Sequence, residues 1–262
     1  MEKIKKGDIV ARKSYNKDIL FNVKRIYKVN NEKMAILTGI TKRVEADSKI
    51  EDLEIIEKEI LNKRLSKIQD KIDTKINETV NKYKNKKIKV RDYNNIKEEM
   101  ITGKILHLDG DKKYSQKAYI QYKKMGLNAM VKNIPEYKQP TLVYKLLKIY
   151  TPDILVITGH DGIIKKAKDY NNIYNYRNSK YFIETVKEAR RYDEANGNKL
   201  VIFAGACQSY YEALILAGAN FASSPARILI DFIDPIIVAE KVAYTERYKY
   251  ITIEDIESEL RD

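Results

Sequence analysis

The chain has 262 residues, a length that suits one large domain or two smaller ones. Hydrophobic residues make up 44% of it, which excludes a mostly disordered chain. Its 50 Lys and Arg residues against 37 Asp and Glu residues leave a formal net charge of +13, which attracts polyanions but also keeps a protein soluble. With one cysteine and two histidines, the sequence excludes an intramolecular disulfide and a zinc site built from several such ligands.

Two further features narrow the class of protein. No apolar run approaches the roughly 18 residues of a membrane span, and the first residues lack the apolar core of a signal peptide. We therefore expect a cytoplasmic protein without a membrane partner. The tyrosines are dispersed and form no stacking motif, so we expect no nucleic-acid partner.

The first 56 residues are rich in β-forming residues. Strands are predicted at 8–12, 19–29 and 34–39, with turn residues Asn30 and Asn31 between the last two. We interpret residues 1–56 as a small SH3-like β-barrel, and an antiparallel sheet of no particular type is the alternative.

A different pattern follows, in which apolar residues recur at spacings of three and four. This spacing predicts one face of a long, highly charged helix that runs from about Ile56 to Lys87, within a linker at 57–99. The residues of this face are Ile60, Leu61, Leu65, Ile68, Ile72, Ile76 and Val80.

Residues 100–262 alternate apolar runs with helical patterns. This alternation predicts an α/β domain, with a mostly parallel, caspase- or flavodoxin-like sheet that carries helices on both faces. Strands are predicted at 104–108, 129–133, 153–158, 199–204 and 220–222, and helices at 115–125, 141–150, 181–192 and 209–217. A further strand is predicted at 238–245 and a final helix at 252–260.

Two of these strands, at 154–157 and 200–203, are each followed by a polar turn, and the turns contain His160 and Cys207. Parallel strands end at one edge of a sheet, so neighbouring strands would bring both side chains into one crevice, as a cysteine nucleophile and its base require. A helix that begins near Ser209 would lower the pKa of Cys207. The backbone N–H of Cys207 and one from the His160 loop would form an oxyanion hole. The alternative is that Cys207 is an ordinary buried core residue.

The turns also carry a resemblance. Thr-Gly-His-Asp-Gly at 158–162 and Phe-Ala-Gly-Ala-Cys-Gln-Ser at 203–209 are similar to the motifs of caspase-like cysteine peptidases, which space His and Cys by about 50 residues. Together with Lys-Gly-Asp-Ile-Val at 6–10 and Leu-His-Leu-Asp-Gly-Asp at 106–111, they resemble the YabG family of sporulation-specific cysteine proteases over nearly the whole chain.

This resemblance implies a cysteine endopeptidase with Cys207 as nucleophile and His160 as general base and acid. It implies cleavage after arginine in spore coat and cortex-related precursor proteins and in the enzyme itself, in the mother-cell compartment or in association with the spore. It requires no metal and no cofactor. The caspase pattern has glycine where this chain has Asp161, so the backbone N–H of Asp161 would complete the oxyanion hole only if its carboxylate points away.

Arginine preference needs a carboxylate beside the dyad. Asp109 is favoured because its strand ends at the same edge of the sheet, whereas His107 in that strand is interpreted as structural. The other candidates are Asp111, Asp161, Asp231 and Asp234. For self-cleavage we expect Arg64 and Arg91, at either end of the long-helix region.

Three other functions remain as alternatives. The first is a basic adaptor of the spore that binds nucleic acid or another polyanion and has an inactive α/β domain. The second is another α/β cysteine hydrolase, such as an amidotransferase-like enzyme, although Cys207 is followed by Gln208 and Ser209 rather than by the usual x-Gly. The third, a receiver-type phosphoacceptor, fits worst because the third strand of this domain ends in Thr-Gly-His rather than in an aspartate.

Overall fold

The computed structural model describes residues 3–87, 103–164, 169–197, 199–223 and 229–243. They form two five-stranded sheets and six α-helices. The strands of the first sheet are β1 (Ile9–Arg12), β2 (Phe21–Val29), β3 (Glu32–Gly39), β4 (Glu45–Lys49) and β5 (Leu53–Ile55). Those of the second are β6 (Ile105–Asp109), β7 (Ala129–Asn133), β8 (Ile154–Thr158), β9 (Val201–Ala204) and β10 (Phe221–Ala222). The helices are α1 (Lys58–Lys87), α2 (Lys112–Lys124), α3 (Gln139–Tyr150), α4 (Ser179–Ala195), α5 (Tyr211–Leu216) and α6 (Asp234–Ala243).

The first sheet is an antiparallel arrangement in the order β4-β3-β2-β1-β5. The three predicted strands are present, and the sequence analysis missed β4 and β5. β4 has the sequence Glu-Ala-Asp-Ser-Lys, in which polar residues hide the β pattern. The SH3-like barrel remains a prediction, as do the domain limits at 56 and 99.

The second sheet is parallel in every described pairing, with the order β10-β9-β8-β6-β7. Numbered from β6, this order is 2-1-3-4-5, which is that of flavodoxin-like doubly wound folds. Successive strand residues face opposite sides, so that Ile105 packs with α2 and α6 while Leu106 packs with α3, α4 and α5. The prediction of a parallel sheet with helices on both faces is confirmed; the caspase-like assignment remains a prediction.

Helix α1 follows its predicted apolar face. Leu61 and Leu65 pack beside the first sheet, and Ile72 and Ile76 are buried against the second, so one helix contacts both layers. Ile60, which is about half exposed, lies off that face.

One prediction near the carboxyl end was wrong, and the bounds of another differ from those observed. Residues 234–243 form helix α6 rather than a strand; nearly all sides of this helix are buried, so its apolar run lacks the helical period. Helix α5 begins at Tyr211, two residues later than predicted, and has only six residues. The predicted helix at 252–260 and the expected cleavage site Arg91 lie outside the described residues.

Candidate active site

The loops that contain His160 and Cys207 lie side by side. They follow β8 and β9, which are adjacent parallel strands paired from Ile154 with Val201 to Ile157 with Ala204. Both loops therefore leave the sheet at the same edge, as the pair of motifs requires. The Asp109 end of β6 lies at this edge as well, because Asp109 pairs with Thr158 of β8.

The carboxylate of Asp161 ties these two loops together. Its Oδ2 accepts hydrogen bonds from the hydroxyl groups of Ser179 (2.5 Å) and Ser209 (2.9 Å), and its Oδ1 accepts from the N–H groups of Gly162 and Asn178 (both 2.8 Å). Burial raises the pKa of Asp161 to about 6, and these hydrogen bonds oppose the rise. The side chain is therefore engaged by α4 and the cysteine loop, while its backbone N–H is directed elsewhere.

The thiol of Cys207 is fully buried. Its Sγ accepts a hydrogen bond from the N–H of Ile230 (3.1 Å) and lies 3.4 Å from the carbonyl oxygen of Ile230. Burial raises the pKa of Cys207 to about 12. The prediction that a helix start lowers this pKa is wrong. Helix α5 begins four residues after Cys207, and solvent is excluded from the sulfur.

The ring of His160 lies between the end of β3 and helix α2. It stacks on Tyr114 with 5.3 Å between ring centroids, and its Nε2 lies 3.3 Å from the carbonyl oxygen of Gly39. Its Nδ1 is 4.0 Å from Asp111 Oδ2, and its backbone N–H donates to Glu136 Oε1 (2.9 Å). Within the described part of the chain, no hydrogen bond joins the thiol to either ring nitrogen.

A segment of the first sheet fills the space between the two loops. This segment, the Gly39–Glu45 loop, joins β3 to β4 and is closed by a hydrogen bond from the N–H of Gly39 to the carbonyl of Val44 (2.8 Å). Lys42 forms an antiparallel bridge with Asp231, and Val44 forms a parallel bridge with Asp161. The loop therefore lies between two strand-like partners, as an extended peptide does.

The backbone of Arg43 makes three hydrogen bonds in this space. Its N–H donates to the carbonyl of Ile230 (3.2 Å), and its own carbonyl accepts from the N–H groups of Cys207 (3.1 Å) and Asp161 (3.2 Å). These two donors are the N–H groups that sequence reasoning selected for the oxyanion hole. They converge on one carbonyl oxygen of the chain itself.

The side chain of Arg43 is fully buried in a pocket at the end of β6. Its Nη1 lies 2.9 Å from Asp109 Oδ2, its Nη2 donates to the carbonyl of Phe232 (3.2 Å), and its Cζ lies 4.8 Å from the ring centre of Tyr114. Burial opposes ionisation of Asp109, but Arg43 and His107 outweigh it and hold the pKa of this carboxyl below its usual range. The pocket thus contains an ionised carboxylate, a backbone acceptor and an aromatic face, which together suit a guanidinium.

The other residues that the sequence analysis considered for arginine preference have different partners in the described part of the chain. Asp231 is partly exposed and pairs with Lys42 Nζ at 2.8 Å, one residue before Arg43. Asp234 accepts from the backbone N–H of Asp231, and Asp111 accepts from that of Tyr114. His107 contacts Tyr122 and Thr158 through its two ring nitrogens, and burial lowers its pKa although Asp109 opposes the shift.

Three comparisons with known proteins bear on this site. The family model described as YabG peptidase U57 matches residues 5–260. The chain belongs to the YabG peptidase family. The sporulation-specific protease YabG of Bacillus subtilis (strain 168) is 39% identical over 257 residues, which is 95% of this chain and 88% of that relative. No solved structure matches the chain. The resemblance to the YabG family is thereby confirmed, and the chain belongs to a family of sporulation proteases.

Two searches of the described residues were negative. None of the helices in that part of the chain is both long and apolar enough to cross a membrane. None of its clusters of His, Cys, Asp and Glu side chains has the three or more members placed to hold a metal ion.

Sequence reasoning missed three residues that contact the candidate site. Arg43 and Tyr114 come from a loop and a helix that carry no catalytic motif, and their contacts with the site span long separations in the sequence. One signal was present: a lone arginine, flanked by Lys42 and Val44, lies between two β-rich stretches. Glu136, which accepts the His160 N–H, had no comparable signal.

Proposed function

We propose that this member of the YabG family is a cysteine endopeptidase that cleaves after arginine, with Cys207 as nucleophile and His160 as general base and acid. One observation carries the proposal. The N–H groups of the two motif loops meet on one carbonyl oxygen, and the arginine side chain of the same residue pairs with Asp109. A carbonyl held by two N–H donors beside a cysteine is the arrangement that acyl transfer requires.

The reaction follows from these positions. His160 takes the proton of Cys207, and the thiolate attacks the carbonyl carbon of the arginine residue while the N–H groups of Cys207 and Asp161 hold the developing oxyanion. His160 then protonates the departing amine, leaving a thioester on Cys207. A water molecule deprotonated by His160 hydrolyses the thioester and restores the thiol.

Two groups assist without touching the scissile bond. Asp111, with its Oδ2 4.0 Å from Nδ1 of His160, is positioned to stabilise the imidazolium that forms in each proton transfer. Asp161 holds Ser209 and thereby the cysteine loop, and its carboxylate is occupied by four donors, so it does not oppose the oxyanion.

For the reaction to begin, the thiol must leave the Ile230 backbone and approach His160. A pKa near 12 describes the resting thiol, in which solvent and base are both excluded. Contact with an imidazole that accepts the proton replaces the missing solvation, as in other cysteine–histidine pairs. We propose spore coat and cortex-related precursors as the protein substrates, and the mother-cell compartment as the place of action.

The test compares peptides that differ only before the scissile bond. Wild type should cleave an arginine peptide at least tenfold faster than a lysine peptide and leave a glutamate peptide intact. Cys207→Ala and His160→Ala should abolish cleavage. Asp109→Asn should lower kcat/KM for the arginine peptide by on the order of 10³-fold, whereas the matched control Asp231→Asn should lower it less than about fivefold. Cleavage that persists in Cys207→Ala would overturn the proposal.

A further inference from the structure

We propose that the Gly39–Glu45 loop is the first substrate of the enzyme and that the Arg43–Val44 peptide bond is cleaved in cis. This inference rests on the proposed function and specifies its autoprocessing. The loop is a short, continuous piece of the chain that occupies the catalytic cleft on both sides of one peptide bond.

The amino side of that bond is bound like a substrate. Arg43 fills the pocket of Asp109 and Tyr114, its N–H donates to the carbonyl of Ile230, and Lys42 pairs with Asp231 at the rim. Every polar group that would select an arginine substrate is thus already in use by an arginine of this chain.

The carboxyl side is bound as well. The N–H of Glu45 donates to the carbonyl of Asp161 (2.7 Å). The backbone carbonyl oxygen of Glu45 packs so closely on Gly162 that a Cβ at position 162 would lie only 2.1 Å from this oxygen. The Glu45 carboxylate pairs with Lys24 at 2.7 Å and lies 3.7 Å from Arg177. Contacts on both sides of the Arg43 carbonyl hold the bond extended across the cleft, and extended backbone is the form in which a peptidase takes its substrate.

The same contacts close the site to any other polypeptide. Cys207 and Arg43 are both 0% exposed, and His160 is 4% exposed. An incoming substrate would need the N–H groups, the pocket and the backbone acceptor that the loop occupies. Cleavage of the loop, or its departure, must therefore precede cleavage of another protein.

The chemistry is that of the proposed reaction. Sγ of Cys207 bonds to the carbonyl carbon of Arg43, the bond from that carbon to the nitrogen of Val44 breaks, and the amine of Val44 takes a proton from His160. Water then hydrolyses the thioester, which leaves a carboxylate on Arg43 and a free thiol. β3 and β4 pair with each other at five positions, from Met34 with Lys49 to Thr38 with Glu45, so both fragments stay together in the native protein.

Arg64, which sequence analysis selected, is held in a different way. It lies within helix α1, and its guanidinium donates to the backbone carbonyls of Lys17 (2.8 Å) and Asp18 (2.6 Å). A helical backbone cannot lie extended in a cleft. Arg64 therefore provides the matched control.

The experiment is intact mass under denaturing conditions, with amino-terminal sequencing of the products. Wild type and Arg64→Gln should each give the fragments 1–43 and 44–262, whereas Cys207→Ala and Arg43→Gln should retain this bond. Arg43→Lys, which keeps a cation beside Asp109 and so keeps the fold, should be cut at least tenfold more slowly than wild type. The rate should not depend on protein concentration, and wild type added to Cys207→Ala should leave its Arg43–Val44 bond intact.

An arginine peptide assayed in parallel separates the two proposals. If wild type cleaves the peptide but keeps the Arg43–Val44 bond, or if Arg43→Lys is cut as fast as wild type, the inference is overturned and the proposed function stands. If wild type cleaves neither the peptide nor itself, the proposed function fails. Cleavage of Cys207→Ala at this bond by added wild type would refute processing in cis.

Discussion

The Gly39–Glu45 loop and helix α1 belong to neighbouring parts of the chain, and each presents an arginine to backbone carbonyl groups. In the loop, Arg43 also pairs with a buried carboxylate, and its own carbonyl accepts hydrogen bonds from the N–H groups of Cys207 and Asp161. In α1, Arg64 donates only to backbone carbonyls, and its main chain is helical. The two arginines therefore differ in main-chain conformation, and we expect this difference, more than the presence of arginine, to decide which bond is cleaved.

The largest expected effect comes from the partner of Arg43. In the inactive Cys207→Ala background, Asp109→Asn should lower the free energy of unfolding by about 3–5 kcal/mol, because it leaves the guanidinium buried without its counter-ion. The matched control, Asp231→Asn at the exposed rim, should cost under about 1 kcal/mol. Urea unfolding of both variants measures the difference; equal costs would show that Arg43 is not held by its pocket.

A smaller effect, dependent on pH, concerns Asp161. Its pKa in the fold, about 6, exceeds its ordinary value of 3.8, so the protonated form adds stability that is fully present below pH 4 and is lost as the pH rises through 6. In the Cys207→Ala background, Asp161→Asn should remove this loss, which amounts to about 3 kcal/mol.

Unfolding measured from pH 4 to pH 7 gives the result as a difference between the two proteins. Asp234, whose pKa burial also raises to about 6, is present in both and cancels. A difference in stability that stays constant over this range would contradict the assignment to Asp161.

The smallest effect concerns how tightly the loop closes over the thiol. Gly162→Ala would place its Cβ 2.1 Å from the carbonyl oxygen of Glu45, and overpacking of this kind costs about 1–2 kcal/mol, which weakens docking of the loop by on the order of tenfold. In the His160→Ala background, which keeps the thiol without activity, iodoacetamide should alkylate Cys207 about tenfold faster in Gly162→Ala.

Gly103→Ala is the control, because a Cβ there meets its nearest atom at an ordinary 3.4 Å. Without Gly162→Ala, alkylation should be slow at neutral pH and rise about tenfold per pH unit beyond pH 9, since the buried thiol has a pKa of about 12. Fast alkylation at pH 7 in the parent protein would mean that the loop does not cover the sulfur.

Much of the fold is encoded in local patterns. The strands from β6 to β10 are short, mostly apolar runs bounded by turns, and α1 to α4 carry a helical period or a clear start, such as the Asp111 side chain that caps α2. Where the pattern disappears, prediction failed: α6 is buried on nearly every side, and four of the five residues of β4 are polar. These elements owe their form to neighbours that are distant in sequence.

The candidate site divides in the same way. His160, Cys207 and Asp109 end apolar strands, so the topology of a parallel sheet was enough to bring them to one edge. The raised pKa of Cys207 depends on burial under the Gly39–Glu45 loop, which precedes Cys207 by more than 100 residues in the sequence. The contacts of Arg43 depend on the same packing of this loop between the two sheets. No spacing within the chain encodes that contact.

The position of the Gly39–Glu45 loop in the chain has a consequence for biosynthesis. A ribosome completes this loop long before it adds β8, β9 and the residues around Ile230. When the parallel sheet forms, the strand ends that line the cleft assemble around the Gly39–Glu45 loop, which has already been synthesised. Each newly folded molecule would thus have its cleft occupied, and no protease with an accessible active site would be present in the cell during translation.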